Sequence, residues 1–211
     1  IEIEGKTILH TGDFRAHGDT GYVLEKVLRY YVKQVDILIT EGTMLGRKNE
    51  AVLLESDIEN NVVEALRKSK YVYALCSSTD IDRLRALHNA CKVTGRTFIC
   101  DSYQYSVLDI FNKYTLSERY KFNRVFKLIN YKTKNVFQKL LHTGFLVMVR
   151  PSSYNRIKRM MSVYNDQPSA LIYSMWQGYH NGTQEQINED IVKIRQLFGG
   201  NIYDGTRDGF H

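Results

Sequence analysis

The chain has 211 residues, of which 43% are apolar and 25% charged, a composition typical of a globular protein and not of a disordered one. This length allows one large domain or two small ones with their own hydrophobic cores. Twenty-nine Lys and Arg against 23 Asp and Glu give a formal charge of +6, which favours an anionic partner. No apolar run approaches membrane-spanning length, so we expect no membrane association.

The first fifty residues predict a strand hairpin, a helix and a third strand. Apolar and polar residues alternate over 1–11 and are interrupted by Gly5, which indicates two paired strands. Helical spacing over 22–33 indicates an amphipathic helix, and the run 35–40 indicates a short buried strand. Two strands joined by a helix run parallel, so their carboxyl ends meet at one edge of a sheet.

Each of these two strand ends carries an acid beside a glycine, Asp13 in the first case and Glu41 in the second. We therefore expect Asp13 and Glu41 to face the same cleft. Asp13, together with His10 and His17, would offer ligands suited to a divalent metal ion. The alternative is an ordinary strand-ending turn, since Gly and Asp are common turn residues.

The next segment alternates between helix and strand patterns. A capping box at 56–59 predicts a helix start, strands are predicted at 70–76 and 96–100, and a helix beginning near Ile81 lies between them. A strand, a hydroxyl-rich turn, a helix and another strand are typical of a doubly wound parallel sheet. The fold class predicted for this part is therefore α/β.

The hydroxyl-rich turn contains Ser77, Ser78 and Thr79 and is followed by Arg83. Hydroxyls and backbone amides at a helix start, with a guanidinium behind them, can hold a phosphate group. Simple N-capping of the helix is the open alternative, because Ser and Thr are good N-cap residues.

Positive charge is concentrated in the segment 113–159, where twelve Lys and Arg stand against the single acid Glu118. Tyr and Phe residues are interleaved with the cations. A basic surface with aromatic faces suits a phosphate backbone with stackable bases, so we expect a nucleic-acid partner. The alternative is a solvated helical face whose aromatic residues belong to the core.

The remaining elements follow the same alternation. The stretch 103–142 is predicted to be helical throughout, and a capping box at 183–186 predicts the start of a last helix. The other predicted elements are a strand at 145–149, a helix at 157–164, and strands at 170–173 and 201–204. Cys76, Cys91 and Cys100 lie in or beside apolar runs without metal-ligand spacing, so buried free thiols in a reducing cytoplasm are expected.

Four motifs resemble those of the metallo-β-lactamase superfamily, and more narrowly its β-CASP branch, the RNase J-like nucleases. They are His-Thr-Gly-Asp-Phe-Arg at 10–15, Ile-Thr-Glu-Gly-Thr at 39–43, Ser-Ser-Thr-Asp-Ile-Asp-Arg at 77–83 and Tyr-Ser-Met-Trp-Gln-Gly-Tyr at 173–179. The resemblance implies part of a metallo-β-lactamase αββα domain at 1–54, an inserted doubly wound β-CASP cap domain at 55–199, and a return to the first domain at 200–211.

The resemblance also implies roles for particular residues. Asp13 would bridge two zinc ions, and Glu41 would orient a catalytic histidine that comes later in the family. His211 would be the first histidine of a run near the scissile phosphate. The residues that would contact the RNA backbone are Ser77, Ser78 and Arg83.

The sequence also departs from the family pattern, because the His-x-His-x-Asp-His metal cluster and the later ligand histidines are absent from these residues. We expect a piece of a longer zinc-dependent nuclease, acting on RNA more than on DNA and inactive as this piece alone. The alternatives are a non-catalytic nucleic-acid-binding or scaffold member of the fold, and a metallo-hydrolase of small phosphoesters. The oligomeric state stays open, a homo-oligomer included.

Overall fold

The computed structural model describes residues 1–12, 18, 21–32, 34–42, 53–128 and 133–210, with Thr206 described by its backbone. The chain divides into two compact units, Ile1–Glu55 and Ser56–His211, called unit 1 and unit 2 below. The division falls one residue after the expected domain boundary between 54 and 55.

Unit 1 contains a three-stranded sheet and one short helix among its described residues. Strands β1 (Glu2–Ile3) and β2 (Lys6–His10) form the expected antiparallel hairpin, and β2 pairs with β3 (Ile37–Ile39) in parallel, as predicted. Helix α1 (Leu24–Tyr31) follows a single 3-10 turn at Gly21–Val23.

The burial of β3 differs from the prediction. Its three residues are 46%, 56% and 46% exposed, and α1 likewise has no buried residue. Apolar runs and helical spacing indicate which faces can be buried, but burial itself requires a second layer. The described residues of unit 1 supply no such layer.

The rest of the chain alternates helices with parallel strands. The helices are α2 (Glu55–Lys68), α3 (Ile81–Thr94), α4 (Ser102–Tyr114), α5 (Lys134–Thr143), α6 (Tyr154–Val163), α7 (Gly178–Asn181), α8 (Glu189–Phe198) and α9 (Gly205–Asp208). The strands are β4 (Tyr71–Cys76), β5 (Thr97–Cys100), β6 (Phe126–Lys127), β7 (Phe145–Val149), β8 (Ser169–Ser174) and β9 (Ile202–Asp204). Of the helices that the structure describes, none is long and apolar enough to cross a membrane.

The six strands of unit 2 form one parallel sheet in the order β6-β5-β7-β4-β8-β9. Every residue of β4, β7 and β8 is buried, which is typical of a sheet covered on both faces. One face packs against α5, α6 and α8 through Leu140, Ile157 and Ile191. On the other, the α3 residue His88 contacts Phe98, with ring centroids 5.4 Å apart. The predicted α/β class, a parallel sheet flanked by helices, is confirmed.

The segment 103–142, predicted to be helical throughout, contains a strand. Helix α4 ends at Tyr114, and β6 then pairs with β5, with Phe126 opposite Ile99. Two residues are too few to show the alternation that identifies a strand. Residues 126–127 therefore form a strand because they pair with β5, and their own sequence pattern does not indicate it.

The last strand also differs from the expected domain organisation. The resemblance returned 200–211 to the first domain, whereas β9 pairs in parallel with β8, with Tyr203 opposite Ile172. Residues 202–204 therefore extend the sheet of unit 2. A three-residue strand carries no information about which sheet it joins, so only the three-dimensional pairing assigns it.

Both predicted capping boxes are displaced. Helix α2 begins at Glu55, one residue before the predicted box. The Gln186 side chain does accept a hydrogen bond from the Thr183 amide at 3.0 Å, but this closes a turn. Helix α8 begins later, at Glu189, where the Asn188 side chain accepts hydrogen bonds from two backbone amides of the first turn.

The three cysteines behave as predicted, because Cys76, Cys91 and Cys100 are free and buried. Burial raises the pKa of the Cys100 thiol to about 12 and raises the pKa of Cys91 as well. Thiols in this state stay protonated at neutral pH and are poor nucleophiles.

Candidate nucleic-acid interface

In unit 1 the carboxyl ends of β2 and β3 lie side by side. His10 is paired with Ile39, and the Thr11 amide donates to the Ile39 carbonyl at 3.0 Å. One residue further, the Thr11 and Thr40 hydroxyl oxygens are 3.3 Å apart. Glu41 follows directly and is half-buried. The two strand ends therefore lie side by side, as predicted, up to Thr11 and Thr40.

Three residues predicted for the metal site or the catalytic site lie outside the described residues: Asp13, His17 and His211. The expected proximity of Asp13 to Glu41 therefore stays a prediction. Among the residues that the structure describes, no group of three or more His, Cys, Asp and Glu side chains could hold a metal ion. The described donors do not by themselves fit the expected pair of zinc ions.

His10 is the described histidine at this edge, and it makes one backbone hydrogen bond there. Its Nδ1 accepts a hydrogen bond from the Gly12 amide at 3.0 Å. A neutral imidazole that accepts at Nδ1 carries its proton on Nε2. In this arrangement His10 presents a hydrogen-bond donor, whereas a metal ligand would need a free Nε2 lone pair.

In unit 2 the candidate interface is the carboxyl edge of the parallel sheet. Because β5, β7, β4 and β8 are consecutive neighbours, the turns that follow them lie along one edge. Ligands of open α/β sheets bind at this edge. The turns contain Ser77–Asp80 after β4, Asp101 after β5, Arg150–Ser153 after β7 and Trp176 after β8.

The serine-rich turn after β4 presents its hydroxyls at the surface. Asp80, and none of the hydroxyl residues, is the N-cap of α3 and accepts from the Arg83 amide at 3.2 Å. Ser77 and Thr79 hydroxyl oxygens lie 3.1 Å apart, and Ser78 accepts from the Gln104 side chain at 3.2 Å. The simple N-capping alternative therefore does not apply to Ser77, Ser78 and Thr79.

The Arg83 guanidinium points into the interior. The residue is 2% exposed, and its Nη1 donates to the Phe210 carbonyl at 2.7 Å and to the Ser174 hydroxyl. It thereby joins α3 to the end of β8 and to the residues after α9. The structure gives Arg83 an internal, structural role, and burial does not favour the expected contact of this side chain with an RNA phosphate.

Two cations that reach the surface of this edge, Arg150 and Arg156, lie around Asp101. Arg150 Nε and Nη2 lie 2.8 and 2.6 Å from Asp101 Oδ2, and Arg156 Nη1 lies 3.7 Å from the same oxygen. Asp101 Oδ1 also accepts from the Gln104 amide at the start of α4. One buried carboxylate thus orders two partly exposed guanidinium groups and leaves an excess of positive charge.

Exposed aromatic rings flank these cations. The Arg150 guanidinium lies 5.1 Å from the ring centroid of Tyr103, and Lys127 Nζ lies 5.4 Å from that of Tyr105. Both rings are partly exposed. Trp176 is 39% exposed at the same edge. Flat rings beside cations are the groups that hold unpaired bases and their phosphates.

The aromatic residues of the segment 113–159 divide between surface and core. Tyr114 is exposed, but Tyr120 and Phe122 are buried, and Phe126 and Phe137 pack against the hydrophobic core. The interleaving in the sequence therefore reflects core packing as much as a binding surface. Sequence reasoning missed Tyr103, Tyr105 and Asp101, whose only signal was their position directly after a buried strand.

A second polar cluster lies at the end of β9. Asp204 accepts from the Gln177 side chain at 2.9 Å and lies 3.0 Å from Arg195 Nη1. His180 Nε2 is 3.9 Å from the same carboxylate. Burial, and next the Arg195 charge, lower the pKa of His180 while Asp204 opposes them. The cluster neutralises its own charges and serves to join α7, α8 and β9.

No family model matches this chain, and no curated protein matches it either. The resemblance to β-CASP nucleases therefore rests on the four sequence motifs alone and stays a prediction.

Proposed function

We propose that unit 2 binds single-stranded nucleic acid, RNA in preference to DNA, along the carboxyl edge of its parallel sheet. The observation that carries the proposal is the placement of Arg150 and Arg156 around one buried carboxylate, next to the exposed ring of Tyr103. Two guanidinium groups against one acid attract phosphates, and the ring offers a stacking surface that any base can use.

The hydroxyl groups of Ser77, Ser78 and Thr79 extend the same edge. They belong to the turn that follows β4. Strand β4 is the neighbour of β7 in the sheet, so this turn lies next to Arg150 along the edge. Short hydroxyl side chains near a helix start donate hydrogen bonds to phosphate oxygens. In this proposal they position the nucleic-acid backbone while Arg150 and Arg156 supply the charge.

We further propose that the complete protein is a metal-dependent phosphodiester hydrolase with two zinc ions. Asp13, Glu41 and His211 are the residues of this chain that would contribute, with Asp13 as the metal ligand. The neighbouring carboxyl ends of β2 and β3 support the shared position of Asp13 and Glu41. Since the described donors do not fit a zinc site alone, most metal ligands would have to come from other residues.

The binding proposal is tested with the substitution Arg156→Gln, measured by fluorescence anisotropy of a labelled single-stranded RNA at several salt concentrations. The one ion pair described for Arg156 is long, 3.7 Å from Asp101 Oδ2, so we expect the substitution to leave the fold intact. We expect affinity to fall about threefold to tenfold and the salt slope to fall by about one. The matched control is Arg67→Gln on α2, where Arg67 pairs with Glu64, and there affinity should be unchanged.

Two further arms sharpen this test. Tyr103→Ala should weaken binding without changing the salt slope, because stacking involves no counterion release. The same oligonucleotide as DNA should bind less tightly than RNA. Equal loss of affinity in Arg156→Gln and Arg67→Gln would mean that binding reflects net charge alone, and it would remove the interface from the carboxyl edge.

A second candidate function is nucleic-acid binding without catalysis. It needs only the cations and the exposed ring at the carboxyl edge of unit 2 and no metal ion. The two candidates are separated by RNA cleavage in the complete protein with added zinc. The hydrolase proposal requires cleavage that Asp13→Asn abolishes while RNA binding is retained. A small phosphodiester substrate in the same assay separates the third alternative, a hydrolase of small phosphoesters.

A further inference from the structure

A cavity of about 630 Å³ lies at the amino edge of the unit 2 sheet, opposite the candidate interface. It is formed where α3 ends and β5 begins, where α5 ends before β7, and by the turn before β6. Its size is in the range of small-molecule sites. The polar and charged residues that line it are His88, Lys92, Arg96, Thr97, Asn123, Arg124, Lys139 and Thr143.

The charge of this cavity is one-sided. Lys92, Arg96, Arg124 and Lys139 contribute four cations, and its described lining includes no carboxylate. Within the described part of the chain, no ion pair forms with any of the four. Cations gathered in a concave site without a counter-charge attract anions strongly.

Arg96 is held rigidly in place. Its Nε and Nη2 donate to the Leu66 carbonyl at 3.3 and 3.0 Å, and its Nη1 donates to the Thr143 carbonyl at 2.9 Å. Gly144 leaves room for it, because a Cβ there would lie 2.7 Å from Arg96 Nη1. The neutral carbonyl partners hold the guanidinium in place without neutralising its charge. A fixed positive charge therefore lines the cavity before any ligand binds.

Arg124 has a strained backbone. Its φ is +61°, in the left-handed region that non-glycine residues rarely adopt. The adjoining Asn123 carbonyl lies 2.7 Å from Nε2 of the buried His88, and this contact holds the turn in place. Strain of this kind persists where the surroundings impose it and is concentrated at binding sites. Glycine would adopt this φ without strain, yet the residue is an arginine, and it lies at the rim of the cationic cavity.

We propose that this amino-edge cavity binds the phosphate groups of an anionic ligand. Lys92, Arg124 and Lys139 are exposed and would close on the phosphate oxygens, while Arg96 supplies a fixed charge behind them. His88 and Phe98, the rings in the described lining, are buried and pack against one another. The lining thus offers no stacking platform for a base, and recognition depends on the phosphates. The cavity lies at the opposite edge from the candidate interface, so this proposal stands independently of it.

The test is binding of inorganic pyrophosphate, measured by calorimetry on the full chain. The double variant Lys92→Gln with Lys139→Gln removes two exposed cations that make no described structural contact apart from Lys139 over the Phe126 ring. We expect pyrophosphate affinity to fall about tenfold. The control Lys193→Gln removes an exposed cation on α8 and should leave affinity unchanged.

Arg124→Gly gives a second, opposite signal. Glycine adopts a left-handed φ without strain, so the melting temperature should rise by about 2 °C while pyrophosphate affinity falls.

Absence of pyrophosphate binding in the wild type, or binding that the Lys92, Lys139 and Arg124 substitutions leave unchanged, would overturn the proposal. Competition between pyrophosphate and single-stranded RNA would identify a nucleic-acid strand as the source of the phosphates. Pyrophosphate binding that RNA does not displace would identify a free phosphate ligand.

Discussion

Asp101 and Arg150, which follow the neighbouring strands β5 and β7, form an ion pair in which both Arg150 Nε and Nη2 contact a single oxygen, Asp101 Oδ2, at 2.8 and 2.6 Å. The other carboxylate oxygen caps α4. Asp101 is 5% exposed, so it ties a helix start to the next strand of the sheet inside the protein. The same contact fixes the guanidinium group that the candidate interface depends on.

The substitution Asp101→Asn separates these two functions of the carboxylate. Asparagine is as good an N-cap as aspartate, so the start of α4 should be retained, whereas Arg150 and Arg156 lose their counter-charge. We expect the free energy of unfolding to fall by about 2 kcal/mol, because the buried carboxylate loses its ion pairs with two partly exposed guanidinium groups. Urea denaturation measures this loss, and Asp101→Ala should lose about 1 kcal/mol more with the cap.

Nucleic-acid binding should change in the opposite direction. With the acid neutralised, the edge gains one net positive charge, so Asp101→Asn should bind single-stranded RNA more tightly at low salt. A folded Asp101→Asn variant that binds RNA less tightly would mean that Arg150 must be held by Asp101 in order to act.

Gly144 and Gly95 differ both in backbone conformation and in the space around them: Gly95 has ψ 14°, in the ordinary left-handed region, whereas Gly144 has ψ −179°, in a region essentially restricted to glycine. Both have positive φ, +65° and +68°, but a Cβ on Gly144 would lie 2.5 Å from the Lys70 carbonyl, whereas a Cβ on Gly95 meets nothing within 4 Å. We expect Gly95→Ala to destabilise by about 1 kcal/mol, the strain of a left-handed alanine. Gly144→Ala should destabilise by about 3 kcal/mol, because overpacking is added to the larger strain of a backbone region that essentially only glycine adopts. Similar losses for the two variants would mean that the sheet relaxes around Gly144.

His88 should make stability depend on pH. Burial is the largest effect on its pKa and lowers it, and the neighbouring Lys92 charge lowers it further, against the Asn123 carbonyl that raises it. A depressed histidine pKa means that the unfolded chain binds the proton more readily than the folded protein. The stabilisation is thus complete above about pH 6.5, the unfolded value, and is lost as the pH falls toward the folded pKa.

Thermal denaturation at pH 7.5 and at pH 5.5 measures this effect. His180 contributes in the same direction, since its pKa is also lowered. The variant His88→Gln removes one titrating group and should reduce the difference between the two melting temperatures. An unchanged difference would assign the pH dependence to His180 and to other groups.

The sequence predicts long elements better than short ones, because a pattern needs several residues before it indicates a helix or a strand. The buried strand β7 was predicted at Phe145–Val149 because five consecutive apolar residues lie between a glycine and a proline-containing turn. Strand β6 has two residues and was missed, because its structure comes from pairing with Ile99 and not from its own side chains. The same reason explains why the three residues of β9 did not indicate that they extend the sheet of unit 2.

The candidate site was predictable in position but not in detail. Parallel strands bring polar turns to one edge, and this rule placed Ser77 and Ser78 correctly at the carboxyl edge of the sheet. Which cation faces outward depends on side-chain packing, which no local pattern encodes. Arg83 is therefore inside and Arg150 partly outside, although each lies in the segment that follows a buried strand.

Arg83→Lys tests whether the buried arginine is structural or contacts nucleic acid. Lysine keeps the positive charge, so the long-range attraction of a phosphate backbone is unchanged, but one ammonium cannot reproduce the planar donors that reach both Ser174 and Phe210. We expect the free energy of unfolding to fall by about 3 kcal/mol, since a buried charge loses part of its hydrogen bonding. RNA affinity and salt slope, measured below the melting temperature, should match the wild type. A variant that keeps its stability but loses RNA affinity would instead place the Arg83 guanidinium on the nucleic acid, and the internal role would be wrong.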